Sequence, residues 1–254
     1  MNVFSRQIYP NPEEVMWAAA EKIERLAVQA LEKKGRVTLA LSGGNTPRAL
    51  YQLLADPRHG FRDRLPWQQM HFFWSDERYV PADDDQSNYK MARETLFAPA
   101  GVPPENVHRF RTELASPEST AEDYQEQLEK FFGTGREQPP PRFDIMLLGM
   151  GADGHTASLF PGLPLLHASE HWVKAFWVPQ LRSHRISLLP DLINESENIL
   201  LLVTGAEKAE AVAMVLTDEP RNAALPVQKI QPTEGNLLWL LDQAAASLVL
   251  RETA

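Results

Sequence analysis

The stretch FDIMLLGMGADGH, Phe143 to His155, decides how the chain is to be read. Its first part is an apolar run of strand length, and its glycines at 149, 151 and 154 spell G-x-G-x-x-G, the dinucleotide-binding fingerprint. That fingerprint needs an ordinary helix straight after the glycines, and an acidic residue at the end of the next strand for the ribose. Here Pro161, Gly162 and Pro164 stop any helix within about two turns. The next predicted strand, HWVKAFWV from His171 to Val178, runs into Pro179 and Gln180 with no acid at its end. The nucleotide reading fails on context. The glycines instead permit a tight turn that delivers Asp153 and His155 to the end of a strand.

Outward from this stretch, strands and helices alternate. Asn11, Pro12 and Glu14 read as N-cap, first position and capping-box partner of a helix. Val15, Ala19, Ile23, Leu26 and Ala30 recur at helical spacing before Gly35 closes it. RVTLALS (36–42), MHFFWSD (70–76), RISLLP (185–190) and NILLLVTG (198–205) read as strands, DYQEQLEKFF (123–132) and AEKAEAVAMVL (206–216) as helices. GNLLWLLDQAAASLVL (235–250) reads as a strand running into a helix. The alternation predicts an α/β fold: a doubly wound, mostly parallel, Rossmann-like sheet with helices on both faces, the whole of residues 1–254 forming one domain. In such sheets ligands sit beyond the carboxyl ends of the strands, which points at Ser42, Asp76, Gly149 and Gly205 together.

Composition narrows the function. A net charge of -9 argues against a nucleic-acid surface, but leaves room for a small anion held by a few cations. The absence of cysteine excludes disulfides and thiolate metal sites. The N-terminus lacks the basic-then-apolar order of a signal peptide, and no run approaches the roughly 20 apolar residues of a membrane span. The expectation is a cytoplasmic protein with no membrane and no nucleic-acid partner; its oligomeric state is left open.

Four loops follow predicted strands. In LSGGNTPRAL (41–50), Ser42 ends a strand, Gly43 and Gly44 turn the chain, and Thr46 then Pro47 read as N-cap and first residue of a helix. Free N–H groups at a helix start suit a phosphate. Asp76, Glu77 and Arg78 bring two carboxylates and a guanidinium to another strand end; Asp83 to Asp85 read as surface charge. The third loop carries Asp153 and His155. The fourth position is split, with Arg185 opening one strand and Lys208 in the first turn of a helix, where a cation opposes the dipole unless a ligand anion offsets it.

These motifs together resemble those of the 6-phosphogluconolactonases. LALSGGNTP, SDERYVPADDDQSN, GMGADGHTASLFPG, RISL and VTGAEKA occur in that family's order and spacing, and PVQKIQPTEGNLLWLLDQAAA is similar to its C-terminal segment. The resemblance runs from about Gly35 to Ala246. It implies hydrolysis of 6-phospho-D-glucono-1,5-lactone to 6-phosphogluconate in the oxidative pentose phosphate pathway. On it, His155 is the expected general base for water and Asp153 the residue orienting its ring. Ser42, Gly43, Gly44, Thr46, Arg185 and Lys208 are expected at the phosphate, Asp76 among the substrate-binding residues, and Arg78 at the phosphate or the oxyanion. No metal or organic cofactor is implied, since a lactone is already an activated ester.

Two rival readings remain. The related glucosamine-6-phosphate deaminases carry a glutamate five residues after the histidine and a D-E-Y loop; here those positions hold Phe160 and Asp76-Glu77-Arg78, which favours the lactonase. A non-catalytic sugar-phosphate sensor would not need His155.

Overall fold

The computed structural model describes residues 3–164, 171–216 and 225–252. Helix α1 (Pro12–Lys34) begins as its sequence dictates: the Asn11 side chain accepts the Glu14 N–H at 3.0 Å, and Pro12 takes the first position. The Glu14 carboxylate does not complete the expected capping box. It accepts the Asn11 side-chain amide at 3.1 Å instead, so the two side chains brace each other. Val15, Ala19, Ile23, Leu26 and Ala30 all lie on the buried face. After Gly35 the chain enters β2 (Val37–Leu41), where every residue is buried. A strand covered on both faces needs no alternation, which is why this run is uniformly apolar apart from Thr38.

The main sheet is wholly parallel, in the order β1-β9-β8-β5-β2-β3. Its strands are β1 (Val3–Tyr9), β2, β3 (Met70–Trp74), β5 (Ile145–Gly149), β8 (Asn198–Val203) and β9 (Asn236–Asp242). This is the expected doubly wound α/β architecture. From β2 the chain steps outward to β3, then returns to place β5 on the other side of β2. The order therefore reverses between β2 and β5, and a crevice opens there at the carboxyl ends. Helix α2 (Asn45–Ala55) follows β2 and packs beside α1. Further along come α3 (Asn88–Ala92), α4 (Pro117–Phe132), α5 (Ala209–Leu216) and α6 (Ser247–Glu252).

Two further features depart from the sequence reading. The strand expected over 70–76 ends at Trp74, and Asp76–Arg78 form a separate strand, β4. β4 joins a three-stranded antiparallel sheet, ordered β4-β7-β6, with β6 (Val173–Val178) and β7 (Ser183–Leu188). The physical cause is local: Ser75 N–H bonds back to the Leu41 carbonyl, while its own carbonyl accepts the Leu188 N–H, so the chain changes sheets at this residue. The edge strand β1 also had no counterpart in the sequence reading.

The amino ends of the central strands are closed by a polar clasp. Asp144, just before β5, accepts the Thr38 N–H and hydroxyl at 2.8 Å each on one oxygen, and pairs with Lys34 through the other. Its carbonyl accepts the Asn198 amide at 3.0 Å, tying β8 to the same point. Burial disfavours the Lys34 charge, but Asp144 and Glu197 outweigh this and raise its pKa. Among the described residues, no helix is long and apolar enough to cross a membrane.

Candidate active site

The loops after β2, β5 and β8 surround a cavity of about 460 Å3 at the switch point. Ser42, Gly43, Gly44 and Thr46 form one wall, Gly149, Gly151, His155 and Ala157 another, and Thr204, Gly205 and Lys208 a third. Asp76 and Arg78 reach it from β4. The strand-end rule thus brings together eight of the ten residues singled out in the sequence; Asp153 and Arg185 are not among the lining.

The β2–α2 loop is built differently from its expected form. Helix α2 starts at Asn45, not after Thr46, and its N-cap is Gly44, at φ 105 and ψ 176. No side chain caps this helix, so the N–H groups of Asn45 and Thr46 at its start have no capping side-chain oxygen, while the Arg48 N–H already donates to the Gly44 carbonyl. Thr46 turns its hydroxyl to that of Thr204, 2.9 Å away, joining the first and third walls. Ser42 is fixed by Tyr51, whose hydroxyl accepts its N–H at 3.0 Å and donates to its carbonyl at 2.8 Å. A helix start left open in this way is a ready anion site.

No helix follows Gly154; the chain turns back at once through a bridge between Thr156 and Leu159. His155 Nδ1 lies 2.6 Å from Asp153 Oδ1, and the His155 N–H donates to the same oxygen at 3.2 Å. A carboxylate only accepts, so Nδ1 carries the proton and Nε2 keeps its lone pair. Burial pushes the Asp153 carboxyl up, but the adjacent imidazole and the hydrogen bonds from His155 outweigh it and hold it below its ordinary range. The ring stacks on Phe160 with centroids 4.2 Å apart. Any β-carbon on Gly151 would overlap both His155 Nδ1 and Asp153 Oδ1, so the fingerprint's second glycine admits this pair rather than a pyrophosphate.

The cations divide into two kinds. Lys208 sits in a 3-10 turn just before α5 rather than in the α-helix itself, with Glu207 Oε1 3.9 Å from its ammonium. Arg78 donates to the Gln86 carbonyl at 2.6 Å. Arg185 is the third residue of β7 and lies directly across the ladder from Arg78. It is not among the residues that line the cavity, contrary to its expected place at the phosphate; it leaves the sheet on the same face as Arg78 but is buried, with Nη1 lacking a partner. Burial lowers its pKa, and the neighbouring Arg78 charge adds to this.

Four residues in and around the site, Thr156, Ala157, Ser158 and Asn88, carry no signal in the sequence reading. Ser158 donates to Asp76 Oδ2 at 2.6 Å and so ties the histidine loop to β4. Ala157 between them holds φ 47, a conformation costing a non-glycine residue on the order of 1 kcal/mol or more. Thr156, bonded to the Gly149 carbonyl at 2.8 Å, and Ser158 pin it from both sides. Asn88 is buried behind Asp76 and donates to its carbonyl at 3.0 Å. Such links join residues far apart in the chain, and only their types, small and polar in SN and TASL, hint at them. Beside Asn88, burial pushes the Glu77 carboxyl up to about 7, against the pull of N–H groups from Asn88, Arg78 and Tyr89.

The fold and site define an α/β protein with a histidine–carboxylate pair facing a cationic cradle at the carboxyl ends of a parallel sheet. A family model described as glucosamine-6-phosphate isomerases/6-phosphogluconolactonase matches residues 10–239, and the chain belongs to that family. It is 40% identical over 217 residues to a 6-phosphogluconolactonase of Synechocystis, covering 85% of this chain and 86% of that one. A 6-phosphogluconolactonase of Nostoc is 38% identical over 218 residues, covering 86% and 87%. The solved 6-phosphogluconolactonase of Trypanosoma brucei superposes with a TM-score of 0.84 at 32% identity, over 96% of this chain and 98% of that one.

Proposed function

We propose that the chain hydrolyses 6-phospho-D-glucono-1,5-lactone to 6-phosphogluconate, as a carboxylic ester hydrolase of the oxidative pentose phosphate pathway. The observation that carries the mechanism is the 2.6 Å contact between His155 and Asp153, which leaves Nε2 the free basic nitrogen. His155 Nε2 takes a proton from water as the water oxygen bonds to the lactone carbonyl carbon. The carbonyl becomes an oxyanion, held by loop N–H groups or by Arg78. Collapse breaks the bond to the ring oxygen, which receives the proton back from His155. Asp153 and the stacked Phe160 hold the imidazole in the orientation this transfer needs.

The 6-phosphate belongs at the open start of α2, with the N–H groups of the SGG loop, Thr46 and Lys208 around it. Arg185, across the ladder from Arg78 and outside the cavity lining, adds positive potential rather than a direct contact. Asp76 is left as an acceptor for sugar hydroxyls. The partner is this small phosphosugar lactone, met in the cytoplasm.

A deaminase reading finds less support, because Phe160 packs flat on the histidine where that enzyme class places a glutamate. The decisive assay follows loss of the phosphorylated lactone against its spontaneous hydrolysis. The account expects loss well above the blank. A rate equal to the blank, with release of ammonia from glucosamine 6-phosphate, would overturn it in favour of the deaminase.

A further inference from the structure

Gly43 turns the phosphate loop, yet its backbone does not require glycine: its φ lies outside the left-handed region occupied by Gly44. What excludes a side chain is a single neighbour. A β-carbon built on Gly43 would overlap Oδ1, Cγ and Nδ2 of Asn88, its three nearest atoms. Asn88 does not line the cavity. It is 2% exposed and sits at the first turn of α3, where the Ser87 hydroxyl caps the helix by accepting the Lys90 N–H at 3.1 Å.

Asn88 is itself tightly held. Its N–H donates to Glu77 Oε1 at 2.8 Å, and the Tyr89 N–H donates to Glu77 Oε2 at 2.8 Å. The Arg78 N–H donates to Oε1 at the same distance, so one buried carboxyl fixes both the start of α3 and the backbone of Arg78. From that anchor the Asn88 amide reaches the Asp76 carbonyl at 3.0 Å, while its other edge is pressed against Gly43. Two walls of the cavity, from different sheets, therefore meet through one carboxamide.

We propose that Asn88 is a positioning residue for the reaction: its carboxamide sets the SGG loop against β4, and so fixes the phosphate cradle relative to Asp76 and Arg78. The proposal rests on the reading of the SGG loop as the phosphate cradle. Gly43 is glycine because Asn88 must close against it.

The test compares wild type, Gly43→Ala, Asn88→Ala and the double variant, each first shown to be folded by thermal unfolding, on phosphorylated and unphosphorylated gluconolactone. The methyl of Gly43→Ala displaces the loop and should raise KM for the phosphorylated lactone by about tenfold or more, the worth of one charge-assisted hydrogen bond. Asn88→Ala alone should raise that KM more than it lowers kcat, and reduce selectivity between the two lactones. In the double variant the methyl has room, so KM should return to the level of Asn88→Ala alone. Asn88→Ser carries the same comparison should Asn88→Ala not fold.

Effects that multiply in the double variant, or an Asn88 substitution that weakens both lactones equally, would overturn the positioning role. A Gly43→Ala effect that is equal on both lactones would instead contradict the phosphate assignment of the loop, while relief by the second substitution still decides the role of Asn88.

Discussion

The three central strands β2, β5 and β8 end in opposite ways. At their amino ends, Asp144 is satisfied by Thr38, Lys34 and the protein alone, and Asn198 closes the same knot. At their carboxyl ends, α2 starts without a side-chain cap and Ala157 is held at positive φ. The same strands thus carry a polar clasp closed by protein partners around Asp144 at one end, and an uncapped helix start beside a cavity at the other. An uncapped helix start beside a cavity leaves N–H groups that a ligand anion can complete. The amino end holds the fold; the carboxyl end is built to be filled.

The comparison breaks if the two ends respond alike to substitution. The largest effect is expected at His155. His155→Asn keeps much of the volume but cannot take the proton, and should lower kcat by about 10²–10⁴ while leaving phosphogluconate binding nearly unchanged. A folded His155→Asn with near wild-type kcat would move the base to Asp76 or Glu77. The opposite pattern is expected for Asp144→Ala. It strips Lys34 and the Thr38 N–H of their partner and should cost about 2–4 kcal/mol of stability by denaturant unfolding. The kcat/KM of its folded fraction should stay close to wild type; a selective loss of activity without loss of stability would erase the distinction.

A smaller effect sharpens the boundary between the ends. The Glu77 carboxyl is pushed up to about 7 by burial, above its ordinary value of 4.5. Between those values the folded chain holds a proton that the unfolded chain has released, so stability from this group falls as pH rises. Wild type should lose stability between about pH 4.5 and 7 relative to Glu77→Gln, whose amide does not titrate. Parallel stability–pH curves for the two proteins would show that the N–H groups around Glu77 cancel its burial.

Much of this was legible in the sequence because it is written locally. Asn11 and Pro12 start α1, apolar runs mark β2, β5 and β8, and glycines mark the turns after them. The Asp153–His155 pairing was expected from the family resemblance; two residues' spacing does not itself bring the groups into contact, and the turn geometry closes them to 2.6 Å. The departures arise where distant segments decide. Asp76–Arg78 looks like the tail of β3, but the bonds of Ser75 to Leu41 and Leu188 send it to another sheet. Arg185 looks like a phosphate ligand, but pairing with β4 seats it beside Arg78, buried and outside the cavity lining. Thr46 and Pro47 look like a cap, but Gly44 turns the chain earlier and leaves the helix start open. Asn88 is invisible until Gly43 is seen against it.

The central claim is that the open carboxyl end is completed by a phosphate. Its most direct test is the ratio of kcat/KM for 6-phosphogluconolactone to that for unphosphorylated gluconolactone, in wild type and in Lys208→Ala. Each charge-assisted hydrogen bond to the phosphate contributes on the order of 1.5–3 kcal/mol, so wild type should prefer the phosphorylated lactone by about a hundredfold or more. Lys208→Ala should lose roughly tenfold or more of that preference, mainly through KM. Comparable kcat/KM for the two lactones in wild type, or an undiminished preference in Lys208→Ala, would contradict the account.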